Sequence, residues 1–293
     1  MQDLIGVFLI LVSGISFGAS AIFARFAYEA GTNPITLLFL RFGIASVCML
    51  FMALVRGISV PRGRILLGLV LMGAVGYAGQ SFCYFTALTL TSAGLVALLL
   101  YLYPALVTVL AVVVLKEPVS KLKIIALIFA LAGTALTIGP AGGGKPLGIV
   151  LGLGAAFIYS VYILVGSKIT KQGTAIQSSA VIITSAAVVY GGLIAIQGAS
   201  FPKTLYGWAS VSAVALISTV LAIVTFLAGL DRVGPTNAAT LSTIEPVVTV
   251  TLAMLVLGET MTPLQIAGGM MILIAVIVLA RSELPVQDAA SAT

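Results

Sequence analysis

Apolar residues in this chain gather into runs of roughly 20, the length at which an α-helix covers the ~30 Å hydrocarbon layer of a bilayer. Short links carrying glycine, proline or charge separate the runs. The pattern predicts ten spans, at about 4–24, 34–55, 65–88, 92–115, 122–139, 147–166, 175–197, 205–229, 235–257 and 264–281. The fold expected is an all-α membrane protein with ten transmembrane helices. No link is long enough to hold a soluble domain.

Two of these spans share one layout. Ser92–Glu117 reads SAGLVALLLYLYPALVTVLAVVVLKE, and Gly234–Glu259 reads GPTNAATLSTIEPVVTVTLAMLVLGE. Pro104 corresponds to Pro246 and Glu117 to Glu259 at an offset of 142 positions, which also superposes Gly6 on Gly148 and Gly31 on Gly173. The chain therefore reads as two copies of one unit, residues 1–142 and 143–284, followed by a cytoplasmic tail at 285–293. Five spans per copy is an odd number, so the second copy enters the membrane from the opposite face. Ten helices as two inverted five-helix repeats is the architecture expected, with a substrate site near the midplane between the repeats.

Composition agrees with this reading: 61% of residues are hydrophobic, 8% are charged, and the mean hydropathy is +1.25. The net charge of +6 reflects topology and not a nucleic-acid partner. With a cytoplasmic N-terminus, the inner links hold Arg56, Arg62, Arg64, Lys116, Lys121, Lys123, Lys168, Lys171, Arg232 and Arg281, and the outer links hold Arg25, Lys145 and Lys203. The positive-inside rule then places both termini in the cytoplasm, with membrane lipid as the surrounding partner. Cys48 and Cys83 have no paired spacing and read as small packing residues. Ala19-Ser20-Ala21 imitates a leader-cleavage site, but Met1–Leu4 carries Asp3 and no basic residue, so span 1 is expected to remain in the mature protein.

Polar positions inside the spans supply the candidate chemistry. In span 3, Gly73, Tyr77, Gln80, Ser81 and Tyr84 recur at helical spacing on one face, as a cavity wall or an interhelical seam would require. Span 8 offers Ser218, Ala222, Thr225 and Gly229 as a counterpart, with Phe226 equivalent to Tyr84. Span 6 presents Gly152, Ala155, Tyr159, Tyr162 and Gly166, and Phe17 of span 1 is equivalent to Tyr159. Gly14 and Gly18, like Gly148 and Gly152, have the spacing that lets helices approach closely in lipid. Asn237 and Thr240 add polar groups to span 9. Glu245 falls near the midplane, where a charge costs about 2.5–3.5 kcal/mol on insertion scales. It is a candidate for substrate binding or proton coupling, and Arg41 of span 2 either pairs with it or snorkels to an interface. Pro104 and Pro246 remove backbone hydrogen bonds at equivalent places and are candidate hinges. Glu117 and Glu259 stand just before spans 5 and 10 and read as caps of those helices.

The segments YPALVTVLAVVVLKEPVSKLKIIALIFALAGTAL and EPVVTVTLAMLVLGETMTPLQIAGGMMILIAVIVL resemble the tandem EamA repeats of the drug/metabolite transporter superfamily, and the resemblance covers essentially the whole chain. It implies a polytopic carrier of the bacterial inner membrane that exports small metabolites by alternating access. The chain is similar to amino-acid exporters, including exporters of aromatic amino acids. Other metabolites or hydrophobic drugs are the alternative cargo. The substrate-binding residues expected are Tyr77, Gln80, Ser81, Tyr84, Tyr159, Asn237 and Glu245, with no cofactor and no metal. An enzyme in the membrane is a weak rival: the chain has no histidine, no metal-ligand cluster, and no serine or cysteine with an evident base. A passive channel is the third reading, and inverted duplication favours a carrier over it.

Overall fold

The structure, a computed structural model, describes residues 2–116, 120–139, 144–169 and 174–282. Glu117 lies outside the described residues, so its expected cap is not seen. Among the described residues the chain is helical without strands, apart from an isolated bridge between Thr91 and Gly144.

Nine helical stretches of these residues are long and apolar enough to cross a membrane: Leu4–Glu29, Pro34–Val55, Gly63–Ala87, Ala93–Leu115, Lys121–Ile138, Pro146–Ser167, Ala175–Gln197, Leu205–Val256 and Pro263–Arg281. The eighth has 52 residues, about 78 Å of helix if straight, more than two bilayer cores. It is broken at Gly234, whose φ of 77° and ψ of 166° suit glycine and little else. Its two arms run in opposite directions along span 1. Going from Gly6 to Ser13, span 1 meets Val233 first and then the carbonyl of Ala222, to which the Ser13 hydroxyl donates at 2.8 Å. Going on from Gly14 to Gly18, it meets Ile244 and then Thr249, whose hydroxyl donates to the Gly18 carbonyl at 2.8 Å. Residues 205–233 and 235–256 are therefore separate crossings, spans 8 and 9, and nine stretches make ten spans.

Span 1 packs against spans 8 and 9, span 6 against spans 3 and 4, span 2 against span 7, and span 5 against span 10. Where no apolar solvent effect drives helices together, close backbone approach supplies the attraction. A methyl group on Gly18 would stand 2.7 Å from the Glu245 carbonyl oxygen, and one on Gly133 of span 5 would stand 2.7 Å from the carbonyl of Gly268 in span 10.

Several spans are interrupted midway. Span 4 breaks at Tyr101–Leu102 and span 9 at Thr243, and helix resumes with Pro104 and Pro246 in the first turn, where the missing N–H has no helical partner to lose. Met72–Tyr77 of span 3 and Leu216–Leu221 of span 8 are π-helical, a form found mostly as single bulges and often at functional sites.

Glu259 caps a helix, but not the expected one. Its Oε1 accepts from the N–H of Ala93 at 2.7 Å and its Oε2 from that of Gly94 at 3.1 Å, at the start of span 4. Span 10 is served by Thr262 and Gln265, which cap each other's backbone N–H at 3.2 and 2.9 Å, a capping box.

Candidate functional site

A cavity of about 530 Å³ lies among spans 1, 2, 3, 4, 6, 7, 8 and 9. Tyr77, Gln80, Tyr84, Tyr159 and Glu245 all line it, as do Phe17 and Phe226, the equivalents of Tyr159 and Tyr84. Two expected residues do not. Ser81 is buried and its hydroxyl donates to Gln80 Oε1 at 3.3 Å. Asn237 is exposed, and its amide is used locally, donating to the Val233 carbonyl across the Gly234 break at 2.9 Å. The polar face expected of span 8 turns elsewhere too: the Ala222 carbonyl takes the Ser13 hydroxyl, and Gly229 packs on Ile10. Its apolar neighbours Ile223, Phe226, Leu227 and Leu230 face the cavity instead.

The lining also includes Arg41 and Tyr162, singled out in spans 2 and 6 but not in the expected binding set, and Tyr101 and Tyr103, which the pattern did not single out. Tyr101 Oη lies 2.7 Å from the Ser242 carbonyl oxygen and 3.1 Å from Glu245 Oε2, sharing its proton between them. From Tyr101 the aromatic rings run in unbroken contact. Centroids are 5.8 Å apart between Tyr101 and Tyr103, 4.7 Å to Tyr159, 5.9 Å to Tyr162 and 6.0 Å to Tyr77. The Tyr77 hydroxyl then accepts from Arg41 Nη2 at 3.3 Å. A belt of five tyrosines from spans 3, 4 and 6 thus connects a carboxylate to a guanidinium.

Arg41 neither snorkels nor pairs with Glu245. It is 5% exposed, its Nε donates to Thr219 Oγ1 at 2.8 Å, and its Cζ stands 5.0 and 4.9 Å from the ring centroids of Phe42 and Phe85. Thr219 in turn donates to the Val214 carbonyl five residues back at 2.8 Å, the bond of a π-turn. Tyr77 and Thr219, which both accept from Arg41, stand 142 positions apart. The two are equivalent by the repeat offset, and the packing of span 2 between spans 3 and 8 puts Arg41 between them.

The cavity is closed at one end. Its lining stops at Ser20 of span 1, Phe85 of span 3 and Leu100 of span 4. Beyond them, Arg25 donates to the Leu88 carbonyl at 2.7 Å and lies 3.6 Å from Glu259 Oε1, and residues 93–99 are all buried. At the other end the lining reaches Leu230, Pro235 and Ala239, of which Pro235 and Ala239 are exposed. The chamber is thus polar within and apolar in its walls, and its exposed lining residues lie at one end.

The chain resembles known transporters over most of its length. The chain is similar to the uncharacterized transporter YyaM of Bacillus subtilis, 25% identical over 280 residues and 92% of each chain. It is also similar to the uncharacterized transporter YcbK of Bacillus subtilis, 24% identical over 282 residues, covering 90% of this chain and 88% of that one. An uncharacterized transporter of Archaeoglobus fulgidus is 26% identical over 269 residues, with coverage of 92% and 94%. A crystal structure of a protein with 20% identity superposes with a TM-score of 0.69 over 95% of this chain and 98% of its own, a likeness of fold alone. The EamA-like transporter family matches residues 4–139 and 146–281. The chain is a multi-pass membrane transporter of a small molecule and belongs to the EamA-like transporter family.

Proposed function

We propose that the protein exports amino acids, aromatic ones among them, across the bacterial cytoplasmic membrane by alternating access. The observation that carries this reading is Glu245: a carboxylate inside the cavity, held by a tyrosine hydroxyl, with no cationic partner among the described residues. A substrate ammonium fits that vacancy, and the tyrosine rings beside it give a flat apolar surface for a side chain. If the same carboxyl holds a proton when the cavity is empty of cargo, an inward proton gradient drives export.

Alternating access is supported by paired geometry at the 142-position offset. Gly6 packs on Val233, and its equivalent Gly148 packs on Thr91, the equivalent of Val233. Gly18 abuts the Glu245 carbonyl, and the equivalent Ser160 hydroxyl donates to the Tyr103 carbonyl at 3.1 Å. Inverted repeats packed this way have two related closures, one at each face, with the breaks before Pro104 and Pro246 as hinges. With both termini in the cytoplasm, the open end faces the cytoplasm and the Arg25–Glu259 end faces outward. Everted membrane vesicles containing the protein should take up labelled phenylalanine and threonine saturably. Uptake equal to vesicles without the protein would send the search to other metabolites and hydrophobic drugs.

A further inference from the structure

We propose that Arg41 is the anion-binding end of the cavity, so that the transporter takes solutes carrying a carboxylate, which Arg41 holds, and an apolar body that lies along the tyrosines towards Glu245. This rests on the amino-acid reading of the same site and adds a second station to it: the two charges of an α-amino acid sit on one carbon, so the solute meets Arg41 and Glu245 in turn and not together.

A guanidinium keeps its charge at any pH a cell meets. Arg41 carries that charge within the membrane at 5% exposure, and among the described residues no carboxylate lies in ion-pair range of it. Burying an unpaired charge costs several kcal/mol, and chains retain such a group where it serves a polar cavity or a substrate path. Its surroundings orient it without neutralising it. Thr219 and Tyr77 take two of its five N–H groups, and Phe42 and Phe85 hold the plane from their faces. Three N–H groups remain without a partner among the described residues, on a side chain that lines the cavity. A planar fork of fixed direction is the geometry that binds a carboxylate through two parallel hydrogen bonds. The mirror-image vacancy is at Glu245, and the two are kept apart by the belt from Tyr77 through Tyr162, Tyr159 and Tyr103 to Tyr101. Were Arg41 and Glu245 in contact, they would neutralise each other and leave neither free for a solute.

The test is a matrix of four related solutes against three proteins. Phenylalanine carries both charges, phenethylamine the cation alone, hydrocinnamate the anion alone and phenylacetamide neither. Binding to the full-length protein in detergent is measured by competition and thermal stabilisation for wild type, Arg41→Gln and Arg41→Lys. Wild type should prefer phenylalanine to phenethylamine, and Arg41→Gln should lose roughly 10- to 100-fold in phenylalanine affinity while phenethylamine is unchanged. Arg41→Lys, which keeps the charge but not the fork, should fall between and guards against a glutamine variant that fails to fold. An unchanged ratio of phenylalanine to phenethylamine in either variant overturns the role of Arg41 and leaves the amino-acid reading intact. If wild type ignores phenylalanine but binds hydrocinnamate through Arg41, the amino-acid reading falls and the anion site stands. No response of wild type to either carboxylate defeats both.

Discussion

Glu259, in the link between spans 9 and 10, lies 3.6 Å from Arg25 at the end of span 1 and accepts the first two N–H groups of span 4. Three parts of the chain, far apart in sequence, are thereby tied at the end where the cavity is sealed. The ion pair alone is partly exposed and worth little; the charge-assisted bonds to the helix start are the stronger part. Glu259→Ala should shift the balance towards opening at this face by about tenfold, since 1.4 kcal/mol is tenfold and such bonds contribute about that much. In a background with Cys48 and Cys83 replaced by alanine, a cysteine at Ala93 should react faster with an impermeant maleimide in the variant. Equal labelling rates would mean that the contact does not hold the closed state.

Glu245 is the one carboxylate among the described residues that lines the cavity, and the proposed function gives it the exchange of a proton for a cation. Glu245→Gln keeps the shape and the contact with Tyr101 but cannot lose a proton. Transport in liposomes should become indifferent to an imposed pH gradient while exchange at equal pH persists at a reduced rate. Continued gradient-driven accumulation in this variant would place coupling elsewhere.

The tyrosine belt is assigned to ring contact, which separates ring from hydroxyl. Tyr159, in contact with Tyr103 at 4.7 Å and Tyr162 at 5.9 Å, is the test position. Tyr159→Phe should stay within about threefold of wild type for phenylalanine, whereas Tyr159→Ala should lose about tenfold, the size of one aromatic contact. Similar losses in both would assign the contribution to the hydroxyl. The pair Tyr77→Ala and Tyr84→Ala should weaken binding likewise, and wild-type affinity there would move the site.

Close packing gives a stability prediction independent of substrate. Gly18→Val pushes a side chain into the Glu245 carbonyl, while a methyl on Gly43 of span 2 meets nothing within 4 Å. Overpacking costs about 1–3 kcal/mol, so Gly18→Val should lower the Tm in detergent by several degrees. Gly43→Ala should leave it unchanged or raise it, because alanine favours helix over glycine by up to about 1 kcal/mol. The reverse order would deny the span 1–span 9 contact.

Span positions and the breaks near Pro104 and Pro246 were legible because hydropathy and helix-breaking residues act locally. The Gly234 turn was legible for the same reason. Glu259 looked like a cap from its place before span 10, and it is one, but for span 4, which only tertiary packing brings near. Arg41 stood out as a charge in a span; its partners Tyr77 and Thr219 belong to spans 3 and 8, whose adjacency leaves no local mark. The π-turns at Met72–Tyr77 and Leu216–Leu221 alter backbone phase without altering composition. Ser81 and Asn237 shared the right helical faces yet satisfied their own neighbourhoods, a choice that spacing does not reveal.

Counterflow tests the central claim most directly. Liposomes carrying the purified protein and loaded with unlabelled phenylalanine or threonine are diluted into the labelled amino acid. The account predicts transient accumulation that saturates, is competed by excess unlabelled amino acid, and falls in Arg41→Gln and Glu245→Gln. Correctly inserted protein that gives no uptake above empty liposomes would contradict amino-acid transport, and linear, unsaturable flux would contradict the carrier.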